Sequence, residues 1–304
     1  MKLNTHKKLT SIATAIGCLA LAATANAALW TPAEITTAMW LDAADISTIA
    51  VDGSDRVTQW DDKSGNDYHV TQGNSNRRPT YNATGWGGSL PELQLASYGA
   101  QKDTLGRNLT AGDISGSAYT LFVVLNAQSE DNEEWIHNSY TTQSHPAPGS
   151  EHRHQVNNGG VRVRADSSNG GTTTGTYMAG QQILQFTLES TSSEIRRNGA
   201  QIATNSGTFT PYDLEGDFTV NGRNSGDGHA GMTGSVAEWI YLAENPSTAD
   251  RELIEGYLSW KWGLQANLPG GHTYINAAPT VVPEPTTTAL LGLGGLALIL
   301  RRRK

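Results

Sequence analysis

Between two apolar ends, this chain carries about 255 residues whose hydrophobic side chains fall in short runs, some alternating with polar residues and some continuous, and almost nowhere repeat with the period of a helix. Alternation buries one face of a strand and leaves the other to water, so the pattern constrains the body to antiparallel sheet. The clearest runs are at 57–60, 119–126, 161–164, 181–189, 218–220 and 235–243. Between them lie turn clusters drawn from 33 glycines and many Thr, Ser and Asn residues. Asn198-Gly199 and Asn221-Gly222 supply the positive φ angles of tight hairpin turns. Short strands at this spacing predict an all-β, two-sheet antiparallel sandwich.

One helix is predicted, from Ser247 to Trp262. Ser247 and Asp250 form a variant capping box, Gly263 stops the helix, and Leu253, Tyr257, Trp260 and Leu264 share a face that packs on the sandwich.

The ends read as addresses. Lys2, Lys7 and Lys8 precede an apolar stretch at 9–23, and Ala25-Asn26-Ala27 is a cleavage site of signal-peptidase type, so maturation is expected at Ala28. Ile16-Gly17-Cys18 offers the alternative of lipoprotein processing. At the other end, Pro283-Glu284-Pro285 is followed by 15 apolar residues and then Arg301, Arg302, Arg303 and Lys304. As a helix the run reaches about 23 Å, short of a hydrocarbon core of about 30 Å. It can anchor transiently in an inner membrane, and the basic cluster behind it keeps its end cytoplasmic. In this order the three parts resemble the PEP-CTERM sorting signal of Gram-negative bacteria. That resemblance implies removal of the tail by exosortase, a membrane transpeptidase; an ordinary C-terminal anchor is the alternative.

Cys18 is the only cysteine, so the mature body has no disulfide or thiolate ligand. Three of the 21 basic residues lie in the signal and four in the tail, whereas Glu284 is the one acid of 29 lost with them. The body therefore carries 14 basic against 28 acidic residues, a net charge near −14. That excess argues against nucleic acid as a partner, because binding it takes clustered Lys and Arg.

Three ordered segments carry a further resemblance: residues 39–72 with Arg78-Pro79-Thr80, then Arg197-Asn198-Gly199 and 218–223, then 234–264 with His272-Thr273-Tyr274. Together they are similar to the laminin-G-like, concanavalin-A-like jelly rolls of secreted bacterial proteins. The resemblance implies two packed sheets and leaves function open, since that fold hosts lectins, hydrolases, lyases and adhesion modules. The expected organisation is a signal peptide at 1–27, the jelly-roll domain at 28–275, a linker at 276–282 and the sorting segment at 283–304.

No acidic alternation of hydrolase type occurs along any strand, so enzymatic activity is unsupported by the sequence. Indoles stack on sugar faces, and Trp135 with His137, and Trp86 with Tyr81, are the glycan-contact candidates. His152 and His154 share a face if their segment is a strand, which suits metal or a polar glycan surface. Trp40, Trp60, Trp239 and Trp260 are assigned to the core. Asp61, Asp62, Asn66 and Asp67 surround Gly65 and offer oxygen ligands for calcium, common among lectin-like proteins of this fold, or else an ordinary Asp-held turn. No cofactor is required. The expectation is an exported protein of the cell surface, outer membrane or extracellular matrix that binds polysaccharide without catalysis, with signal peptidase and exosortase as processing partners. The alternatives are a polysaccharide hydrolase or lyase with an atypical site, and a structural surface module that binds proteins.

Overall fold

The computed structural model describes residues 28–96, 102–128, 134–140, 151–157, 160–165, 172–173, 178–207, 214–222 and 231–281. The signal-peptide residues Ala25 and Ala27, and the tail residues Pro283, Glu284, Pro285, Arg301, Arg302 and Arg303, lie outside these residues. Among the described residues no helix is long and apolar enough to cross a membrane.

Among the described residues seventeen strands, β1 to β17 in chain order, form two antiparallel sheets. The eight-stranded sheet contains β1 (Met39–Asp42), β5 (Thr80–Trp86), β6 (Leu90–Leu95), β8 (Ala118–Ala127), β13 (Gly180–Glu189), β14 (Ser192–Arg197), β15 (Ala200–Ser206) and β17 (Gly234–Leu242). Its order is β15-β14-β13-β8-β17-β6-β5, and β1 pairs with the second half of β17, beyond β6. The nine-stranded sheet contains β2 (Ile49–Val51), β3 (Val57–Trp60), β4 (Val70–Thr71), β7 (Leu105–Ile114), β9 (Glu134–Tyr140), β10 (Glu151–Asn157), β11 (Gly160–Ala165), β12 (Thr172–Thr173) and β16 (Leu214–Val220). Its order is β12-β11-β10-β9-β16-β7-β4-β3-β2.

All six runs read from the sequence are strands, and the two Asn-Gly turns have the expected angles: φ is +49° and +80° at Asn198 and Gly199, +61° and +86° at Asn221 and Gly222. β8 and β17 are apolar nearly throughout because both of their faces are covered. Trp239 and Tyr241 of β17 face the nine-stranded sheet, where they meet Phe218 of β16. Glu238 faces the other way, towards α1 (Thr248–Lys261) and the residue after it.

Helix α1 begins where the sequence places it. The Ser247 hydroxyl accepts from the Asp250 amide and donates to its carboxylate, and Gly263 follows at φ +71°. The buried face differs from the expected one. Ile254, Glu255, Tyr257 and Leu258 are buried, while Leu253 and Trp260 are half-buried. Trp262 takes the core position assigned to Trp260, and the Trp260 indole instead donates to the Tyr274 carbonyl at 2.7 Å. The helix carries a buried acid, Glu255, which meets Arg196 of β14 at 3.3 Å and His272 at 3.0 Å. Gly256 must be glycine, because a Cβ there would lie 2.7 Å from the Tyr274 side chain.

The compact unit spans Leu29–Thr280. Part of the segment expected to run as a linker belongs to it: Leu29 bridges Thr280, and the Trp30 amide donates to the Pro279 carbonyl at 2.9 Å.

Candidate functional site

The residues singled out in the sequence do not form one surface. Trp86 is 1% exposed, because β5 turns it under Trp262, 5.6 Å away edge-to-face, and its indole donates to the Trp262 carbonyl at 2.9 Å. It is a core residue, and the expected contact face with Tyr81 does not form. Tyr81, on the same strand, is half-buried, and burial pushes its hydroxyl pKa up. Trp135 lies on β9 in the other sheet, across from Gln155 of β10; its side chain falls outside the described residues.

The histidines do share a face, but it is the inner one. His137, His152 and His154 are fully buried between the sheets. His137 Nδ1 lies 2.7 Å from the Thr219 carbonyl, and its ring packs on Phe218 and His154 at 4.5 and 5.1 Å. His154 Nε2 is 3.3 Å from the Tyr119 hydroxyl, and its ring packs on Phe186 at 4.7 Å. His152 packs on Tyr119 at 4.7 Å. Strand alternation required Val156, His154 and His152 to point the same way, and Val156 decides which way that is. The surface role expected of these histidines is therefore corrected.

Asp61, Asp62, Asn66 and Asp67 do not converge on a cation. Asp62 Oδ1 accepts from the Trp40 and Ser64 amides at 2.8 and 2.9 Å, and its Oδ2 from the Tyr68 amide and the Ser64 hydroxyl at 3.0 and 2.7 Å. Asn66 donates its amide to the Thr37 and Ala38 carbonyls, and Asp67 projects outward with φ +59°. Calcium would have to displace the contacts that fold the loop. Among the described residues no three His, Cys, Asp or Glu side chains are placed to hold a metal. Replacing Asp62 with alanine is expected to cost about 2–3 kcal/mol, the range for hydrogen bonds to a buried charge, whether calcium or chelator is present. Urea denaturation in both conditions checks this; a chelator-induced loss of stability in the unmodified protein would reinstate the ion.

The outer face of the nine-stranded sheet carries a different feature. β16 alternates: Phe218 enters the core, so Asp217 and Thr219 face outward. Register sets Asn108 of β7 opposite Asp217, and Gly106 between Thr219 of β16 and Thr71 of β4. The missing side chain at Gly106 leaves a cleft of about 230 Å³ lined by Thr71, Gln72, Asn108, Asp217 and Thr219. Asp217 is half-buried and, among the described residues, its carboxylate has no hydrogen-bond or ion-pair partner, and burial pushes its carboxyl pKa up. Arg107 also lines the cleft, but its guanidinium is engaged elsewhere. Its Nη1 donates to the Asp67 carbonyl at 2.5 Å, and its guanidinium lies 5.1 Å over the Tyr68 ring.

A second cleft, of about 310 Å³, is lined by two acids, Glu92 and Asp103. Both are already committed: Glu92 accepts from the Ser235 hydroxyl at 2.6 Å, and Asp103 from Arg56 at 3.1 Å and the Ala96 amide at 2.8 Å. The Asp217 cleft is thus the one whose charge the fold leaves unsatisfied. Sequence reasoning missed it because Asp217 is unremarkable until Gly106 is known to lie beside Thr219.

Residues 281–304 match the PEP-CTERM protein-sorting motif, which indicates export and cell-surface sorting in bacteria. No curated protein matches the chain. Among solved structures, the fold is similar to that of a Trypanosoma rangeli sialidase in complex with a difluoro-nononic acid, at 9% identity and TM-score 0.50, over 73% of this chain and 32% of that one. It is also similar to an arabinofuranosidase complexed with arabinofuranosyl-α-1,2-xylobiose, at 12% identity and TM-score 0.51, over 67% of this chain and 50% of that one. This chain thus spans about a third and a half of those proteins, and the likeness is one of fold.

Proposed function

We propose that the chain is an exported, surface-sorted protein that binds glycan, without hydrolysing it, through the Asp217 cleft. The observation that carries this reading is a half-buried carboxylate with no partner among the described residues, set among hydroxyl and amide side chains over a floor opened by Gly106. Vicinal hydroxyls of a sugar satisfy a carboxylate with two donors, and Asn108 and Thr71 can serve neighbouring hydroxyls. The common two-carboxylate route of glycoside hydrolysis sets its acids about 5–5.5 Å apart for retention or 6.5–9.5 Å for inversion. Asp217 is the only acid among the residues lining this cleft. The similar solved structures hold sugar-type ligands, which agrees with the reading but adds little at such low identity.

The sorting motif supplies the remainder of the proposal. The short apolar run holds the chain transiently in the inner membrane until an exosortase-type transpeptidase removes it, and the sandwich is delivered to the outer membrane or the matrix around a Gram-negative cell. The processed protein is expected to bind members of a polysaccharide panel with Asp217→Ala at least tenfold weaker, the loss of a charge-assisted hydrogen bond of about 1.5–3 kcal/mol. Reducing-end and unsaturated-sugar assays on the same panel check for cleavage. Release of either product would replace this reading with the enzymatic one; absence of any binding would leave a structural surface module.

A further inference from the structure

Resting on that reading of the cleft, we infer that its ligand is a cationic glycan: a polymer containing hexosamine units with free, protonated amino groups. Three observations select this class over neutral or acidic sugars. First, Asp217 is the one charged group of the cleft without a counter-charge. Arg107 is tied to the Asp67 carbonyl and the Tyr68 ring, and the remaining lining residues Thr71, Gln72, Asn108 and Thr219 are neutral. A uronic or sialic acid would set a second carboxylate against Asp217 with no cation to separate them, which costs binding as like charges do elsewhere.

Second, the neutral side chains are partly spent. Gln72 donates to the Thr104 carbonyl at 2.8 Å and accepts from the Asn74 amide at 3.0 Å, while Thr219 donates to the Gly222 carbonyl at 2.6 Å. The lining therefore holds few free donors for a carboxylated sugar and keeps its full charge for an ammonium group. Third, the body's net charge near −14 surrounds the cleft with a field that concentrates polycations and repels polyanions, an effect weakened by salt. The partly buried position of Asp217 acts in the same direction, since an ammonium partner restores what burial takes from the carboxylate.

The test uses the processed protein with three probes at pH 6 and 0.15 M salt: a glucosamine hexamer, its fully N-acetylated counterpart and an oligouronate of equal length. Titration calorimetry is expected to rank the glucosamine oligomer at least tenfold above the N-acetylated one, with no measurable binding of the oligouronate. Asp217→Asn is expected to abolish that tenfold preference while retaining the folded spectrum. Glu244→Gln, which removes one exposed charge outside the cleft, is expected to leave the preference intact. Equal loss in both variants would assign the preference to the overall field and overturn the site. Tighter binding of the N-acetylated or uronate oligomer would overturn the charge selection while leaving the glycan reading standing. No binding of any probe or of the wider polysaccharide panel would remove both.

Discussion

Replacing Glu238 with alanine is expected to destabilise the protein by about 3–5 kcal/mol, the usual cost of stripping one partner from a buried charged network. Glu238 is fully buried, and its four contacts each come from a different side chain. Oε1 accepts from the Trp40 indole at 2.7 Å and the Tyr257 hydroxyl at 2.9 Å; Oε2 accepts from the Trp262 indole at 2.5 Å and meets Lys261 at 2.8 Å. Lys261 continues to Asp42 at 2.6 Å, and Asp42 to Lys63 at 2.9 Å. Burial pushes the Glu238 carboxyl pKa up while Lys261 opposes the shift. Its removal would orphan three donors and leave Lys261 with Asp42 as its one remaining carboxylate at the seam between β1, β17 and α1. Glutamine is expected to fail as well, because its amide hydrogens would face donors already aimed at Oε2. Urea denaturation monitored by tryptophan fluorescence measures the loss. Pairing Glu238→Leu with Lys261→Met should cost less than the sum of the two single changes, since they share one interaction. A single-variant cost below about 1 kcal/mol would show that the network does not hold the helix to the sheet.

Acid is expected to unfold the sandwich through its buried histidines. Desolvation lowers the His137 pKa from 6.5 to about 4, against a smaller opposing contribution from the Thr219 carbonyl. His154 falls well below the ordinary range for the same first reason, and His137 and His152 would repel a charge on it. Among the described residues, Tyr119 of β8, Phe186 of β13, Phe218 of β16 and Trp239 of β17 pack against them, and none of these four supplies a negative charge. The native pKa lies below the unfolded one, so the unfolded chain binds more protons as pH falls below about 6.5. Stability is complete above that value and declines down to about pH 4. For His137 alone the loss is about 2 kcal/mol at pH 5 and on the order of 3 kcal/mol at pH 4, and His154 adds to it. Carboxylates with lowered pKa values, such as Asp45 and Asp52, act below this window. Urea midpoints measured from pH 7.5 to 4.5 should fall steeply, and His154→Phe should flatten the curve. A midpoint unchanged between pH 7 and 5 would refute the assignment.

How much of this could be read from the chain depends on the residue. The strand at 218–220 was legible by alternation, and with it, in principle, the outward direction of Asp217. The cleft was not, because it arises from a register that sets Gly106 beside Thr219, more than a hundred residues away in sequence. The His-x-His segment was legible as a shared face, but imidazole is amphipathic, and alternation alone does not say which face is wet. Trp86 between two glycines looked like an exposed loop residue; the helix that covers it is more than 160 residues further on. Likewise Trp260 lies in the last turn of α1 and Trp262 just after it, and only the docking of α1 on the sheet selected which is buried.

The chain by itself therefore determined the class of fold, the Asn198-Gly199 hairpin turn and the capped helix, which rest on interactions among near neighbours in sequence, and it carries the sorting motif. Tertiary structure alone decided which polar groups are paired and which are left open. Pairing depends on distant strands meeting in one register, so Glu238 becomes a satisfied internal clamp while Asp217 remains a carboxylate without a partner among the described residues.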